Sequence, residues 1–438
     1  MVFNENGNAL RSDNDQLYKK YRLSIEKEMR RILAGEYHIH SGALEDFAEE
    51  VEKKLMLNFD AFISTGSHVL SNASVKISKK SRSSSATQQF HSGALSSADL
   101  EYIKLAESTS PEHVGVEIGD GESKSIQLAF ANFHAPLISK IDVAVHSGAS
   151  LKLLEFFISN SNNKPSAAIS MGKVVAEAGS TVEINVLCNE DASTHAMHFT
   201  ELSLAQGARV KLNTAYIGSA SCIARNHASI VGSSAYFELN SILLASGSQK
   251  FDIFNSSLNS GKESAYLGDM RAVVSGESTS FLKDMSSISP NANGVKAYIK
   301  ERAIIVGERA RISMLPDMSI NENNVKATHS AASAPIDEES LFYLMSKGMP
   351  RELAESTVLE GFLSDSVSRI DDAAAKSLIM AHLNEKIKTG RFGVPIARSL
   401  GGAWLTQHNS SMPEMFEGGA KSYNSLQHED GGEAFLKT

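Results

Sequence analysis

Cysteine, proline and tryptophan are scarce in this chain of 438 residues, which holds two, nine and one of them. The two cysteines, Cys188 and Cys222, rule out a disulfide framework; in a reducing compartment they are expected as free thiols. Basic charge is also short: 42 Lys and Arg against 51 Asp and Glu leave a net charge of −9. That balance argues against a nucleic-acid footprint or a polybasic membrane surface, each of which needs a basic face. Apolar runs such as Leu151–Ser159 fall well below the ~20 residues of a spanning helix. Met1 to Asp15 is polar and lacks a signal core, so a cytoplasmic protein is expected. Nucleotide and hydrolase signatures are missing too. Gly119-Asp120-Gly121-Glu122-Ser123-Lys124-Ser125 lacks the Gly-Lys-Ser/Thr end and the spacing of a P-loop and reads as an acidic turn. There is no dinucleotide fingerprint, no Gly-x-Ser-x-Gly elbow and no Cys-x-x-Cys pair.

What is present falls into three regimes. In 14–60, Tyr18, Tyr21, Ile25, Met29 and Ile32 recur at helical steps up to Gly35, and Leu44, Phe47, Val51 and Leu55 mark a second helix. A serine-rich stretch, Ser71–Ser97, leads into the second regime, where apolar residues alternate. Thr181-Val182-Glu183-Ile184-Asn185-Val186 and Ala208-Arg209-Val210-Lys211-Leu212 read as half-buried strands. Nearly every such strand follows a corner of glycine and small residues, with glycines at 148, 179, 207, 232, 247, 261, 276 and 307. Their steps are 31, 28, 25, 15, 14, 15 and 31 residues. Steps near one value and near its double are the mark of a solenoid, and glycine suits a corner that needs positive φ. A sandwich would space its strands similarly but would not repeat the corner. Helical periodicity returns in 336–390. Asp337 caps a segment ending at Gly348, Pro350 fits the first position of the next helix, and a third runs roughly from Asp371 to Lys388. The expected division is an N-terminal helical region (1–64), a solenoid core (65–335), a C-terminal helical domain (336–390) and a poorly ordered tail (391–438) that Trp404 could anchor.

Candidate chemistry is sparse. His195 and His198 are three apart, on opposite faces of a strand, and are expected at the surface. His38 and His40 fall between two helices. Asp252, Asp269 and Asp284, 17 and 15 residues apart, would each be a solvated charge on its turn. If they instead stacked on one outer face, a carbohydrate-active β-helix enzyme would be the alternative reading.

The end of the solenoid is distinctive. Ser313-Met314-Leu315-Pro316-Asp317-Met318-Ser319-Ile320, Asn324-Val325-Lys326-Ala327-Thr328-His329-Ser330-Ala331-Ala332, Ile336-Asp337-Glu338-Glu339, Leu341-Phe342-Tyr343-Leu344-Met345-Ser346-Lys347-Gly348 and Glu360-Gly361-Phe362 follow in order. This series closely resembles the SufB/SufD family of the SUF iron–sulfur assembly system. The resemblance implies a mainly β protein: a right-handed parallel β-helix with N- and C-terminal helical regions, a cytoplasmic scaffold with no catalysis of its own. It implies pairing with a SufB/SufD-type homologue or a second copy, through strands in 280–325. It also implies docking of a SufC-type ATPase on the C-terminal helices, for which Phe342, Tyr343, Gly348 and Phe362 are candidates. Thr328-His329-Ser330 stands where SufB-like chains place Glu-His-Glu, and Glu301 where they carry a cysteine, so the C-terminal motifs are closer to SufD. Ser221-Cys222-Ile223-Ala224-Arg225 resembles a SufB element whose cysteine accepts sulfur, which makes Cys222 a candidate sulfur acceptor. The cysteine common in SufD is replaced by Ala327. His329 is then the candidate metal ligand, for a transient cluster shared across the subunit interface.

Overall fold

The computed structural model describes residues 60–64, 67–70, 75–78, 97–108, 111–132, 136–159 and 165–390. The helices expected in 14–59, His38, His40, most of 71–97 and the tail with Trp404 lie outside them. Nineteen strands are seen among the described residues, from β1 (Ala61–Ser64) to β19 (Lys326–Pro335). Ala61–Ser64 had been expected to close the N-terminal helical region. It is a strand because it pairs in parallel with β5 (Ser123–Asn132), which places Ala61 and Ile63 in the core.

From β4 (Glu112–Ile118) onward each strand pairs in parallel with the strand two places later, so even and odd strands build two separate sheets. The chain therefore winds as a parallel β-solenoid. Val182, Val210, Phe237, Tyr266, Ala297 and Ala327 are register partners on successive odd strands, 27–31 residues apart. The corner glycines, spaced by half of that or all of it, mark half turns and whole turns. In-register parallel pairing keeps partners on one face, so each column of side chains points wholly inward or wholly outward. Inward columns from both sheets meet in one long apolar core that includes Leu153, Ile184, Leu212, Leu239, Ala224 and Ile253.

Most corner glycines, Gly148 and Gly207 among them, have φ near +65°. Gly232 and Gly261 do not, and the expected reason for glycine fails there. A Cβ on Gly232 would lie 2.1 Å from the Ala205 carbonyl carbon, and one on Gly261 1.9 Å from the Gly232 oxygen. At these corners glycine permits stacked turns to touch.

Both outer faces are covered in part. The helix Ser97–Ser108, not expected from the sequence, lays Tyr102, Ile103 and Ala106 on Ile169, Met171, Met197, Phe199 and Ile223 of the even sheet. On the odd sheet, the helix Arg351–Ser368 packs against β13 (Tyr236–Ala245) and β15 (Ala265–Ser275), and the helix Ala373–Thr389 against β9 (Thr181–Asn189). Polar contacts lock this cover in place. Glu183 accepts from the backbone N–H groups of Asp371 and Asp372, and Asn240 donates to the Ser366 carbonyl at 2.8 Å. Arg369 meets the buried Asp269 at 3.0 Å. Buried Lys386 donates to Ile217 O, Leu244 O and Gln249 Oε1, with its pKa held far down by burial. Pro350 is the N-cap of its helix, one place before the position expected, with extended ψ of 149°.

No helix among the described residues is long and apolar enough to cross a membrane.

Candidate functional site

The solenoid ends on two strands that each have a neighbour on one side only, β18 (Arg311–Ile320) and β19. Among the described residues no further turn covers them, so side chains that earlier turns bury are open here: β19 is exposed almost throughout, and Leu315 and Ile320 of β18 are 57% and 46% exposed. Met314, Met318, Ile305 and Ile312 pack against the core from this end. Pro316 sits within β18 without breaking its register with β16, and an edge strand is where proline is tolerated.

His329 belongs to this open turn. Its register partner is Ile299 of β17 (Lys296–Val306), which faces the core, so His329 lies on the inward-facing column yet is exposed. Two places along β17, Glu301 also faces inward and is fully buried, as is Asp284 of β16 (Thr279–Ile288). Neither oxygen of Glu301 has a hydrogen-bond partner within the described residues. Burial, helped by the Asp284 charge, pushes the Glu301 carboxyl up to about 9. Burial likewise lifts Asp284 to about 7, against the hydrogen bond from Tyr266 at 2.7 Å. At neutral pH Glu301 is therefore a neutral acid behind an exposed imidazole. A cation arriving at the open end would meet an exposed imidazole and, one turn in, a buried carboxyl whose proton a positive charge can displace. Sequence reasoning passed over Glu301 as a site residue and read Asp284 as a solvated charge. The register places both inside.

The outer-face carboxylate stack does not form. Asp252, Asp269 and Asp284 are all buried. Asp252 lies on the outer face of the even sheet, paired with Arg225 at 2.7 Å; Asp269 lies on the odd sheet with Arg302 and Arg369; Asp284 faces the interior.

Cys222 is buried on the inward face of β12 (Ser221–Ile230), and burial, with the Glu190 charge adding, pushes its thiol well up. Strands β14 (Lys250–Asn259) and β16 separate its ladder position from the end strand β18, so Cys222 and His329 are not neighbours. Arg225, three residues on, faces outward and ties Asp99 of the helix Ser97–Ser108 to Asp252. The histidines depart from expectation in part. His195 and His198 do lie on opposite faces, but His198 points inward, buried, with Glu190 Oε1 at 3.1 Å. His195 is half-buried against Ser221 Oγ at 2.7 Å.

The C-terminal candidates divide. In the helix Glu338–Ser346, capped by the Asp337 carboxylate on the N–H groups of Glu339 and Ser340, Leu341 is buried while Phe342 and Tyr343 are 73% and 61% exposed. Met345 and Leu353 are also exposed, at 41% and 49%. Gly348 turns the chain with φ of +90°. Phe362 is half-buried, its ring 5.4 Å from the Arg271 guanidinium and its carbonyl bonded to the same side chain.

Residues 126–362 match the family model described as SUF system FeS cluster assembly, SufBD core domain. Among curated proteins the chain is similar to the iron–sulfur cluster assembly protein SufD of Bacillus subtilis, 23% identical over 254 residues, 58% of each chain. It is 25% identical over 173 residues to a SufBD family protein of Synechocystis, covering 39% of this chain and 36% of that one. A SufBD family protein of Pyrococcus horikoshii is 25% identical over 202 residues, 46% and 45%. The matched stretches thus span between about a third and three fifths of these relatives.

Proposed function

The chain belongs to the SufBD core family of SUF iron–sulfur cluster assembly, and on that premise we propose that it is a non-catalytic cytoplasmic scaffold subunit on which clusters are built and handed on. The open last turn is the assembly face. There a SufB/SufD-type homologue, or a second copy of the chain, covers β17–β19, because unpaired strand edges and half-exposed Met314, Met318 and Leu315 favour a partner. His329 contributes a ligand to a cluster that is cargo, with most ligands from the other subunit. Imidazole is a competent ligand for iron and binds it less tenaciously than thiolate, which suits a site that must release what it holds. Glu301 supports the imidazole as a proton store that gives up its proton when positive charge arrives. Cys222 is a candidate sulfur acceptor: its high thiol pKa makes it inert while buried, so sulfur loading requires the core to open locally. A SufC-type ATPase docks on Phe342, Tyr343 and the neighbouring Met345 and Leu353, an aromatic patch of the kind that anchors interfaces.

The observation that carries this reading is an inward-column histidine left exposed on the last turn, with a buried unionised glutamate on the adjacent strand. The test is co-expression with a cognate ATPase and a SufB-type homologue, anaerobic purification, and iron and sulfide analysis. Co-purification with both subunits and acid-labile sulfide supports the scaffold reading; a chain that copurifies with neither and carries no iron or sulfide overturns it.

A further inference from the structure

Far from the open end, on β9, on β10 (Thr194–Leu204) and in the corner between them, a second group of side chains is closed off inside the solenoid. Cys188, Glu190 and His198 each place one donor atom within 4.8 Å of the other two, and all three residues are buried. Glu190 has no exposed surface at all, and among the described residues its only ion-pair partner is His198. Its Oε1 lies 3.1 Å from His198 Nε2, and its Oε2 accepts from Ser219 Oγ at 2.9 Å. His198 Nδ1 is buried with no hydrogen-bond partner, although the ring is otherwise packed, 4.6 Å from the Phe157 ring in an edge arrangement. A carboxylate, a thiol and an under-satisfied imidazole in an apolar interior are costly for the fold unless something completes them.

We propose that Cys188, Glu190 and His198 form a buried binding site for one divalent transition-metal ion of the zinc type. Sulfur, nitrogen and oxygen are the donors zinc takes, in sets of three or four. Bonds of about 2.0–2.3 Å in a tetrahedral set place donor atoms roughly 3.3–3.8 Å apart, a spacing bracketed by the 3.1 Å Glu190–His198 contact and the 4.8 Å bound on the trio. The charges balance: on binding, the Cys188 thiol loses its proton to solvent, and thiolate plus carboxylate neutralise the dication. Without an ion the thiol keeps its proton, since burial and the Glu190 charge both oppose the thiolate. Ser219 Oγ donates to the other carboxylate oxygen of Glu190 and so fixes the direction in which Oε1 points. A second mixed group, Asp120, His146 and Glu177, is partly exposed, and both His146 nitrogens are taken by Glu177 and Glu117 at 3.1 and 3.4 Å, so it carries no such case.

Because the site is enclosed, the ion enters as the chain folds. The full-length protein is therefore produced in minimal medium supplemented with zinc or cobalt(II), desalted anaerobically against EDTA, and its metal counted by mass spectrometry. Wild type is expected to retain one ion per chain, with a near-ultraviolet thiolate-to-cobalt band in the cobalt form. Cys188→Ser loses that band. Glu190→Gln and His198→Gln weaken retention by about tenfold or more. His329→Ala retains the ion, which separates this site from the assembly face. Substoichiometric metal in folded wild type overturns the proposal whatever the variants do, and so does a metal content that the three substitutions leave unchanged.

Discussion

Tyr266 and Asp284, on different sheets, are joined across the interior of the solenoid by a hydrogen bond of 2.7 Å from the phenol to the carboxylate. It is a polar rivet between the two sheets one turn before the open end, and it works against the burial that raises the Asp284 pKa. Tyr266→Phe keeps the ring, which stacks on Phe237 at 5.7 Å, and removes only the donor. It should destabilise the protein by ~1–3 kcal/mol, read as a shift in urea midpoint with unchanged slope. An unchanged midpoint would mean that the bond contributes nothing.

Gly268 leaves room for the same carboxylate: a Cβ there would sit 2.3 Å from Asp284 Oδ2 and 2.8 Å from the Tyr266 hydroxyl. Its φ is not positive, so the constraint is purely one of space. Gly268→Ala should cost ~1–3 kcal/mol by overpacking. In Gly268→Ala combined with Asp284→Ala the loss should be smaller than the sum of the singles. Additive losses would place the Asp284 carboxylate elsewhere.

The raised carboxyl of Glu301 makes a signed statement about pH. Between its ordinary value of 4.5 and about 9 the folded chain binds a proton that the unfolded chain has released, so stability falls as pH rises through that window. Asp284 adds to the same trend between 3.8 and about 7. Above pH 7 Glu301 goes on lowering stability while buried Lys386, its pKa held down by burial, works the other way, so the difference between wild type and variant reads Glu301. Glu301→Gln, which mimics the neutral acid, should flatten the fall in urea midpoint from pH 7 to about 9. A decline as steep as in wild type would show that Glu301 ionises normally.

The repeat was legible in the sequence because each corner needs a glycine, whether for positive φ, as at Gly179, or for contact between turns, as at Gly232 and Gly261. Alternation also told which residues share a face. It could not tell which face is the interior, because in this fold both faces of a strand can be apolar. Met197 and Phe199 are buried outward under the helix Ser97–Ser108, while His198 between them points into the core. For the same reason Asp284 reads as a solvated charge and Glu301 goes unmarked as a site residue until the register places both inside. The motif singles out His329 but places it after the last strand, whereas it lies within β19 on the inward-facing column. Its exposure follows from β19 being the last strand of its sheet, a fact of topology that no local pattern carries.

On the C-terminal patch, Phe342→Ala with Tyr343→Ala should weaken ATPase capture by about tenfold or more without changing the melting temperature, since both side chains point to solvent. Pull-down with the cognate ATPase reads the first effect and thermal unfolding the second. Deleting 337–390 is a poorer probe, because it strips Arg369 from buried Asp269 and Lys386 from its corner and so destabilises the solenoid as well. Full ATPase capture by the double variant would remove the patch from the interface.

The measurement closest to the central claim is the iron and acid-labile sulfide content of the reconstituted complex, purified anaerobically, with wild type and His329→Ala side by side. The exposed imidazole supports little of the fold, so the variant should fold and pair with its partner subunit, losing no more than about 1–2 kcal/mol. Its iron and sulfide should nevertheless fall sharply, while ATPase capture stays intact. Wild-type loading in His329→Ala would show that the histidine is structural and that the cluster is held elsewhere.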